Sequence, residues 1–415
     1  MGSTAGRRHL RRLGAILATA AVAATFVAAC GDDDDSSGSS DSGGTSSDAG
    51  VVKIGVIAPI DAGLTAFGNG IANSVQLAVD EANENDAIPG FTIEVAAEDD
   101  SSDPETGAAA AETLAADPAV IGVVGTYNSA VAAEVAPILE ADDIAMISPG
   151  NTDPALTLGS DADAPERQFA NYFRVVASDA QQGGVLADYA TGDLGITTAA
   201  VVNEEKPVSQ GLADAFTEAF TAGGGEVVYT KVVPDGTTDF TTVAGEIAPL
   251  TPQLLFFGGE YEVAAAFRNA AAEIDAPLMG GDGIKDDIYI EDTGAAGEGD
   301  YASSIGAPLE SLDTAADFVA AYEAAGYDDP PSAFGPYAYD AANLLIAAAA
   351  SALEGEDEVT SEARAAVVDE VQAADVDGIT GRLAFDEYGD TVTKVFTIYQ
   401  VEGTEWVPVT TVTVP

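Results

Sequence analysis

From residue 51 onward, short apolar runs of strand length alternate with alanine-rich stretches of helical period, and this alternation predicts parallel α/β units. The first run is 51–57, followed by the small-residue segment 61–69 and a helix through about Asn83. A strand at 91–95 comes next, then a helix over 104–116, for which Asp103 is a good N-cap and Pro104 a good first residue. A strand at 120–124, a helix at 130–140 and a strand at 144–147 complete this half. The pattern restarts after 173–176, with strands at 199–202, 227–233, 254–257 and 277–279 and helices near 210–221, 240–248 and 262–274. Helical stretches at 315–325, 337–353 and 361–374 follow. The end differs: 383–385, 394–401 and 405–414 alternate like antiparallel strands, with turns at Tyr388-Gly389-Asp390 and Glu402-Gly403. No second linker interrupts this length, which exceeds one ordinary domain and suggests two intimately connected lobes.

The first 50 residues read differently. Arg7, Arg8, Arg11 and Arg12 precede an apolar, small-residue segment over 13–29, the pattern of a cleavable export signal at 1–29. Cys30 follows Ala28-Ala29 and resembles the acylated cysteine of a bacterial lipobox, which would tether the chain to the outer face of the cell membrane. The plainer alternative is an ordinary secretory signal with an incidental cysteine. A transmembrane helix fits less well, because about 20 strongly apolar residues are wanted and this segment is alanine-rich. Arg7-Arg8-His9-Leu10 weakly resembles a twin-arginine signal, so the export route stays open. Residues 31–50 are too polar to bury a core, and 30–50 read as a flexible spacer.

Four of the 14 basic residues lie in the leader, leaving ten against 70 acidic residues. Such a charge argues against nucleic acid, whose phosphates need Lys and Arg, and against direct adhesion to anionic lipid heads. The one histidine, His9, is in the leader and Cys30 is the one cysteine. Intramolecular disulfides, Ser-His-Asp and Cys-His catalysis and the usual zinc or haem sites are thereby removed. Neither Asp32–Asp35 nor Asp286-Asp287 has the ligand spacing of a calcium loop, so no metal and no cofactor is expected. Most acidic residues read as solvated surface.

Ligands of open parallel sheets settle at the carboxyl ends of strands, where helix N-termini present amides. Four strand ends here carry glycines and hydroxyls: 125–129, 148–152, 258–261 and 280–283. Ser129 and Thr152 offer hydroxyls beside free amides, which suits a carboxylate, and Asp282 between glycines suits an ammonium. Each segment alone reads equally well as a turn.

With those loops in place, the chain resembles the type I periplasmic binding proteins of the branched-chain amino acid branch, over nearly all of 52–411. The matching pieces include Phe67-Gly68, Leu77-Ala78-Val79-Asp80-Glu81-Ala82-Asn83, Glu98-Asp99-Asp100-Ser101-Ser102-Asp103-Pro104, Met146-Ile147-Ser148-Pro149-Gly150-Asn151-Thr152-Asp153-Pro154, Gln210-Gly211-Leu212-Ala213, Gly258-Gly259, Tyr339-Asp340-Ala341 and Leu383-Ala384-Phe385-Asp386. The resemblance implies two Rossmann-like lobes, 51–174 with 306–379 and 175–305 with 380–415, joined by crossings near 174–178, 303–308 and 378–383. It implies that Ser129, the Gly150 backbone and Thr152 hold an α-carboxylate and help with the ammonium, that Asp282 pairs with the ammonium, and that Tyr261 covers the ligand. Phe67, Tyr127 and Tyr337 are candidates for its side-chain end, with core packing an equal alternative, and Trp406 reads as structural. Val208-Ser209 stand where amino-acid-binding relatives place an aromatic, which loosens the case for an aliphatic amino acid.

The expectation is a monomeric extracytoplasmic lipoprotein that captures a small zwitterion for the permease of an ABC importer. The alternatives are a ligand sensor with the same fold and, less favoured without His, a carboxylate-dependent hydrolase.

Overall fold

A computed structural model describes residues 50–160 and 164–414. The export-signal, spacer and Cys30 lipidation readings lie outside the described residues.

Five parallel strands form the first sheet: β1 (Gly50–Ala58), β2 (Phe91–Asp99), β3 (Val120–Gly125), β4 (Ala145–Ser148) and β5 (Tyr172–Arg174), in the order β2-β1-β3-β4-β5. β3 and β4 are buried along their whole length, as expected of apolar runs covered on both faces. Helices Thr65–Glu84 and Gly335–Ala352 pack on each other over one face, while Pro104–Ala116 and Ser129–Glu140 pack together in a separate apolar cluster. Helix Pro104–Ala116 has the bounds its sequence predicts because Asp103 accepts from the Thr106 amide and Pro104 opens the first turn.

The second sheet is mixed. It contains β6 (Thr198–Glu204), β7 (Glu226–Val233), β8 (Leu254–Gly258), β9 (Leu278–Gly280), β10 (Tyr301–Ile305), β13 (Val395–Glu402) and β14 (Glu405–Thr413), in the order β14-β13-β10-β9-β8-β6-β7. The remaining strands, β11 (Asp375–Asp377) and β12 (Arg382–Ala384), form a separate antiparallel ribbon. The chain passes between the two sheets three times: after β5, after β10 and between helix Ser361–Gln372 and β13.

Several expectations need correction. The first helix starts at Thr65 rather than near residue 69, and the helix after β8 runs Tyr261–Ala270, ending short of Ile274. Residues 303–305, expected in a crossing, lie inside β10, paired in parallel with β9 and antiparallel with β13. Ser303 and Ser304 are buried there despite their polarity. Arg382–Ala384 pairs with β11 instead of joining the terminal hairpin. Helices Asp179–Asp188 and Asp287–Thr293 were absent from the sequence expectation. The first of these carries a capping box, Ser178 with Gln181, whose Ser-x-x-Gln spacing was available in the sequence.

Two buried polar anchors fix the passages. Arg174, fully buried at the end of β5, pairs with Asp390 through Nε, donates from Nη1 to the Asp153 carbonyl at 2.8 Å and from Nη2 to Thr157 Oγ1 at 2.8 Å. Asp340, buried in helix Gly335–Ala352, accepts from the Ile379 amide at 2.8 Å and the Thr380 amide at 2.9 Å. Both residues hold a polar side chain where an unpaired group would be costly.

Candidate functional site

Loops at the carboxyl ends of both sheets converge on one cavity. Tyr127, Asn128, Ser129, Gly150 and Thr152 come from the first sheet. Val208, Ser209, Leu212, Gly259, Glu260, Asp282 and Gly283 come from the second, and Asp179 from the helix after the first passage.

The first-sheet wall is braced from behind. Ser148 Oγ accepts from the Asn151 amide at 2.8 Å and donates to the Thr126 carbonyl at 3.0 Å. Asn151 Nδ2 donates to the Tyr127 carbonyl at 2.8 Å, and Tyr172 OH donates to Asn151 Oδ1 at 3.0 Å. Ser129 opens helix Ser129–Glu140, so its hydroxyl and the first-turn amides sit on the positive end of a three-turn helix. Gly150 lets the chain lie against an aromatic ring: a Cβ there would meet Tyr127 Cδ2 at 3.0 Å. This wall is suited to an anion.

The opposite side is acidic. Asp179 is buried, and its Oδ2 has no hydrogen-bond partner among the described residues. Burial pushes its carboxyl well above the usual range, the charge of Asp282 adds to the shift, and the Thr152 hydroxyl pulls the other way. Asp282 is also buried, and burial raises it to about 6 against a hydrogen bond from Gln182 that favours the ionised form. That bond runs from Gln182 Nε2 to Asp282 Oδ1 at 2.9 Å. The Asp179 amide donates to the Thr152 carbonyl at 2.9 Å, so this acid is tied to the first-sheet loop. No Lys or Arg is among the described residues lining the cavity. Two adjacent carboxylates held this way are stabilised by an incoming cation.

Glu260 closes a third side. Its Oε1 accepts from Asn128 Nδ2 at 2.8 Å and its Oε2 from Lys206 Nζ at 2.6 Å. Lys206 also pairs with Glu204 at 3.4 Å and Asp235 at 3.0 Å. Burial raises Glu204 to about 7, opposed by the charge of Lys206.

Of the residues singled out from sequence, Ser129, Gly150, Thr152, Asp282 and Tyr127 lie on the cavity wall. Phe67 and Tyr261 do not line it. They form an aromatic cluster behind Tyr127, with Phe67–Tyr127 centroids 4.7 Å apart and Phe67–Tyr261 edge-on at 5.3 Å. Tyr337 is buried beside Gly306 in a different cavity near the passages. Trp406 donates to the Asp286 carbonyl at 3.0 Å and packs on Tyr289, a structural role. Sequence reasoning missed Asp179 and Gln182, and it gave no role to Asn128 and Glu260 although both fall within the strand-end loops it singled out. Asp179 had a signal, since it is the first residue after the Ser178 cap of a helix entering the strand-end face.

Among the described residues no cluster of three His, Cys, Asp or Glu is placed to hold a metal ion, and no helix is long and apolar enough to cross a membrane.

The chain was compared with known proteins. It is 30% identical to the Leu/Ile/Val-binding protein BraC3 of Rhizobium johnstonii over 85% of its own length and 92% of that protein's. The leucine-binding protein LivK of Thermotoga maritima superposes with a TM-score of 0.75 at 26% identity, covering 87% of this chain and 98% of the other. The branched-chain amino acid transporter substrate-binding protein LivJ of Streptococcus pneumoniae, solved with isoleucine, gives 0.76 at 25% identity, covering 88% and 99%. Residues 51–405 match the periplasmic binding protein family. With two Rossmann-like sheets, three passages and a cavity at the strand ends between them, this chain belongs to the periplasmic binding proteins, a family that binds solutes rather than transforming them.

Proposed function

We propose that the chain captures a small zwitterion, an amino acid or a close relative of one, outside the cell and delivers it to the permease of an ABC importer. The observation that carries this is the facing of two buried carboxylates, Asp179 and Asp282, toward a wall of hydroxyls and helix-terminal amides in one cavity. The ammonium meets the two acids, and the carboxylate meets Ser129, Thr152 and the backbone at Gly150. The names of the Rhizobium, Thermotoga and Streptococcus relatives refer to branched-chain amino acids, which supports an amino-acid guest. Binding needs no bond-breaking step, in keeping with a carrier rather than an enzyme.

The first lobe is 51–174 with 306–379 and the second 175–305 with 380–415. Export by the 1–29 leader and acylation of Cys30 hold the monomeric carrier at the outer face of the cell membrane, with 30–50 as its tether. Micromolar affinity corresponds to about −8 kcal/mol, within reach of a few charge-assisted hydrogen bonds in a closed cleft. Titration calorimetry of the chain lacking its leader, against a panel of amino acids, tests the proposal. Asp282→Asn lowers the affinity at least tenfold while the ligand-free protein melts no lower than the wild type; unchanged affinity removes Asp282 from the site.

A further inference from the structure

We propose, on the amino-acid reading given above, that the guest is an amino acid with a second positive charge on its side chain, of the lysine, ornithine and arginine class, and that Glu260 receives that charge. Asp179 and Asp282 are buried on the cavity wall and Glu260 is partly buried there. Glu204 is buried behind them, its Oε2 accepting from the Glu260 amide at 3.0 Å. One lysine answers these four carboxyls: Lys206 lies 2.6 Å from Glu260 and 3.4 Å from Glu204, and shares its charge with the exposed Asp235 at 3.0 Å. Arg174, whose charge reaches Asp179, is paired with Asp390, and Lys285 lies over the Tyr399 ring at 4.5 Å. A neutral zwitterion leaves this excess of acid as it was, whereas a net-positive guest reduces it.

The hydrogen-bond inventory points the same way. Buried oxygens without a hydrogen-bond partner among the described residues include Asn128 Oδ1, Asp179 Oδ2 and Glu204 Oε1. All three are acceptors; Asn128 and Asp179 line the cavity, and Glu204 lies against the lining residue Gly259. The Asn128 amide is oriented by its Nδ2 bond to Glu260, so its carbonyl oxygen is the atom left over. An ammonium or guanidinium offers only donors to such atoms. An aliphatic side chain offers none and would close the cleft over oxygens that water no longer reaches. Burial raises Glu204 to about 7 even with Lys206 beside it, the mark of a carboxyl short of positive charge. The acids also form a continuous line: the charge of Asp282 acts on Asp179, and the charges of Asp282 and Glu260 both act on the Tyr127 hydroxyl. The α-ammonium takes the Asp179–Asp282 end of that line and the side-chain cation takes the Glu260 end, while the α-carboxylate keeps the wall of hydroxyls and amides. Val208 and Leu212 in the same lining suit the methylene stem between two charges.

Calorimetric titration of the wild-type chain with L-lysine against L-norleucine, its isostere without the ε-ammonium, and with L-arginine against L-citrulline, its neutral isostere, tests the second charge and needs no variant. Lysine or arginine is expected to bind at least tenfold more tightly than its neutral counterpart. In Glu260→Gln, which keeps the shape of the side chain, and separately in Glu260→Ala, that ratio is expected to fall at least fivefold. Neutral counterparts that bind the wild type as tightly as both cationic amino acids overturn the second charge and leave the amino-acid reading standing. A ratio unchanged in both variants overturns the assignment to Glu260. Cadaverine, which has both ammonium groups of lysine and no carboxylate, is expected to bind at least tenfold more weakly than lysine. Equal binding of cadaverine overturns the amino-acid reading. Failure of every compound in the wild type, while the chain is folded by circular dichroism, overturns that reading and this inference with it.

Discussion

Asn128 Nδ2 donates to Glu260 Oε1 at 2.8 Å, joining the loop after β3 of the first sheet to the loop after β8 of the second. The acceptor oxygens of Glu260 are shared between this bond and Lys206, whose charge is in turn shared with Glu204 and Asp235. The contact across the cleft is therefore backed by an ion-pair network on the second-sheet side, which orients Glu260 toward Asn128.

Glu260→Ala is expected to raise the ligand dissociation rate about tenfold, with a much smaller change in the association rate, because a hydrogen bond to a charged group contributes about 1.5–3 kcal/mol and acts here on the closed state. Stopped-flow displacement measures this directly. An unchanged dissociation rate would show that Glu260 does not hold the cleft shut.

The acids of the cavity make binding depend on pH. Burial raises Asp282 to about 6, so below that pH it is increasingly neutral and attracts an ammonium less. Affinity is expected to fall as pH drops through about 6, and binding near that pH to release a proton, read by calorimetry in buffers of different ionisation enthalpy. Binding with no proton release between pH 5 and 7 would contradict the placement of the ammonium against these carboxyls.

The same burial has a consequence for the ligand-free fold. Asp282 and Asp300 are both raised from 3.8 to about 6, chiefly by burial. A group whose folded value lies above its unfolded one contributes stability that is complete below the unfolded value and is lost as pH rises through the folded value. These two residues thus weaken the ligand-free fold between pH 4 and about 6, by up to about 3 kcal/mol for Asp282 alone. The urea midpoint of the ligand-free chain should decline across that window, and Asp282→Asn should flatten the decline. A midpoint that climbs steadily from pH 4 to 7 would be the contrary result.

Arg174→Ala is expected to cost about 3–5 kcal/mol, because it strands the Asp390 carboxylate, Thr157 Oγ1 and the Asp153 carbonyl around a buried gap. The companion change Gly378→Ala would place a Cβ 2.5 Å from Asp340 Oδ2 and push that carboxylate off the Ile379 and Thr380 amides, at about 1–3 kcal/mol. Denaturant unfolding measures both. Losses under 0.5 kcal/mol would show that the passages tolerate rearrangement.

The elements that could be read from sequence are those whose local chemistry agrees with their place in the fold. β3, β4 and β8 are buried along their whole length and mostly apolar because both faces are covered. Helix Pro104–Ala116 is marked at its start by Asp103 and Pro104. β10 could not be read this way: Tyr-Ala-Ser-Ser-Ile has no apolar run, and it is a strand because β9 and β13 supply hydrogen bonds from residues far away in the chain. The loop residues Ser129, Gly150, Thr152 and Asp282 were legible from their glycines and hydroxyls at strand ends. Asp179 was marked only by its place after the Ser178 cap, and it becomes a neighbour of Asp282 only when Gln182 of that helix donates to Asp282. Phe67 and Tyr261 carry the aromatic character of a ligand contact, yet three-dimensional packing spends them on each other.

The amide of Asp179 is hydrogen-bonded to Thr152, while Asp282 is held through Gln182 from the same helix. A guest cation seated between the two acids would fasten the Thr152 loop of the first sheet to the Asp282 floor of the second, a strap made by the cargo and not by the chain.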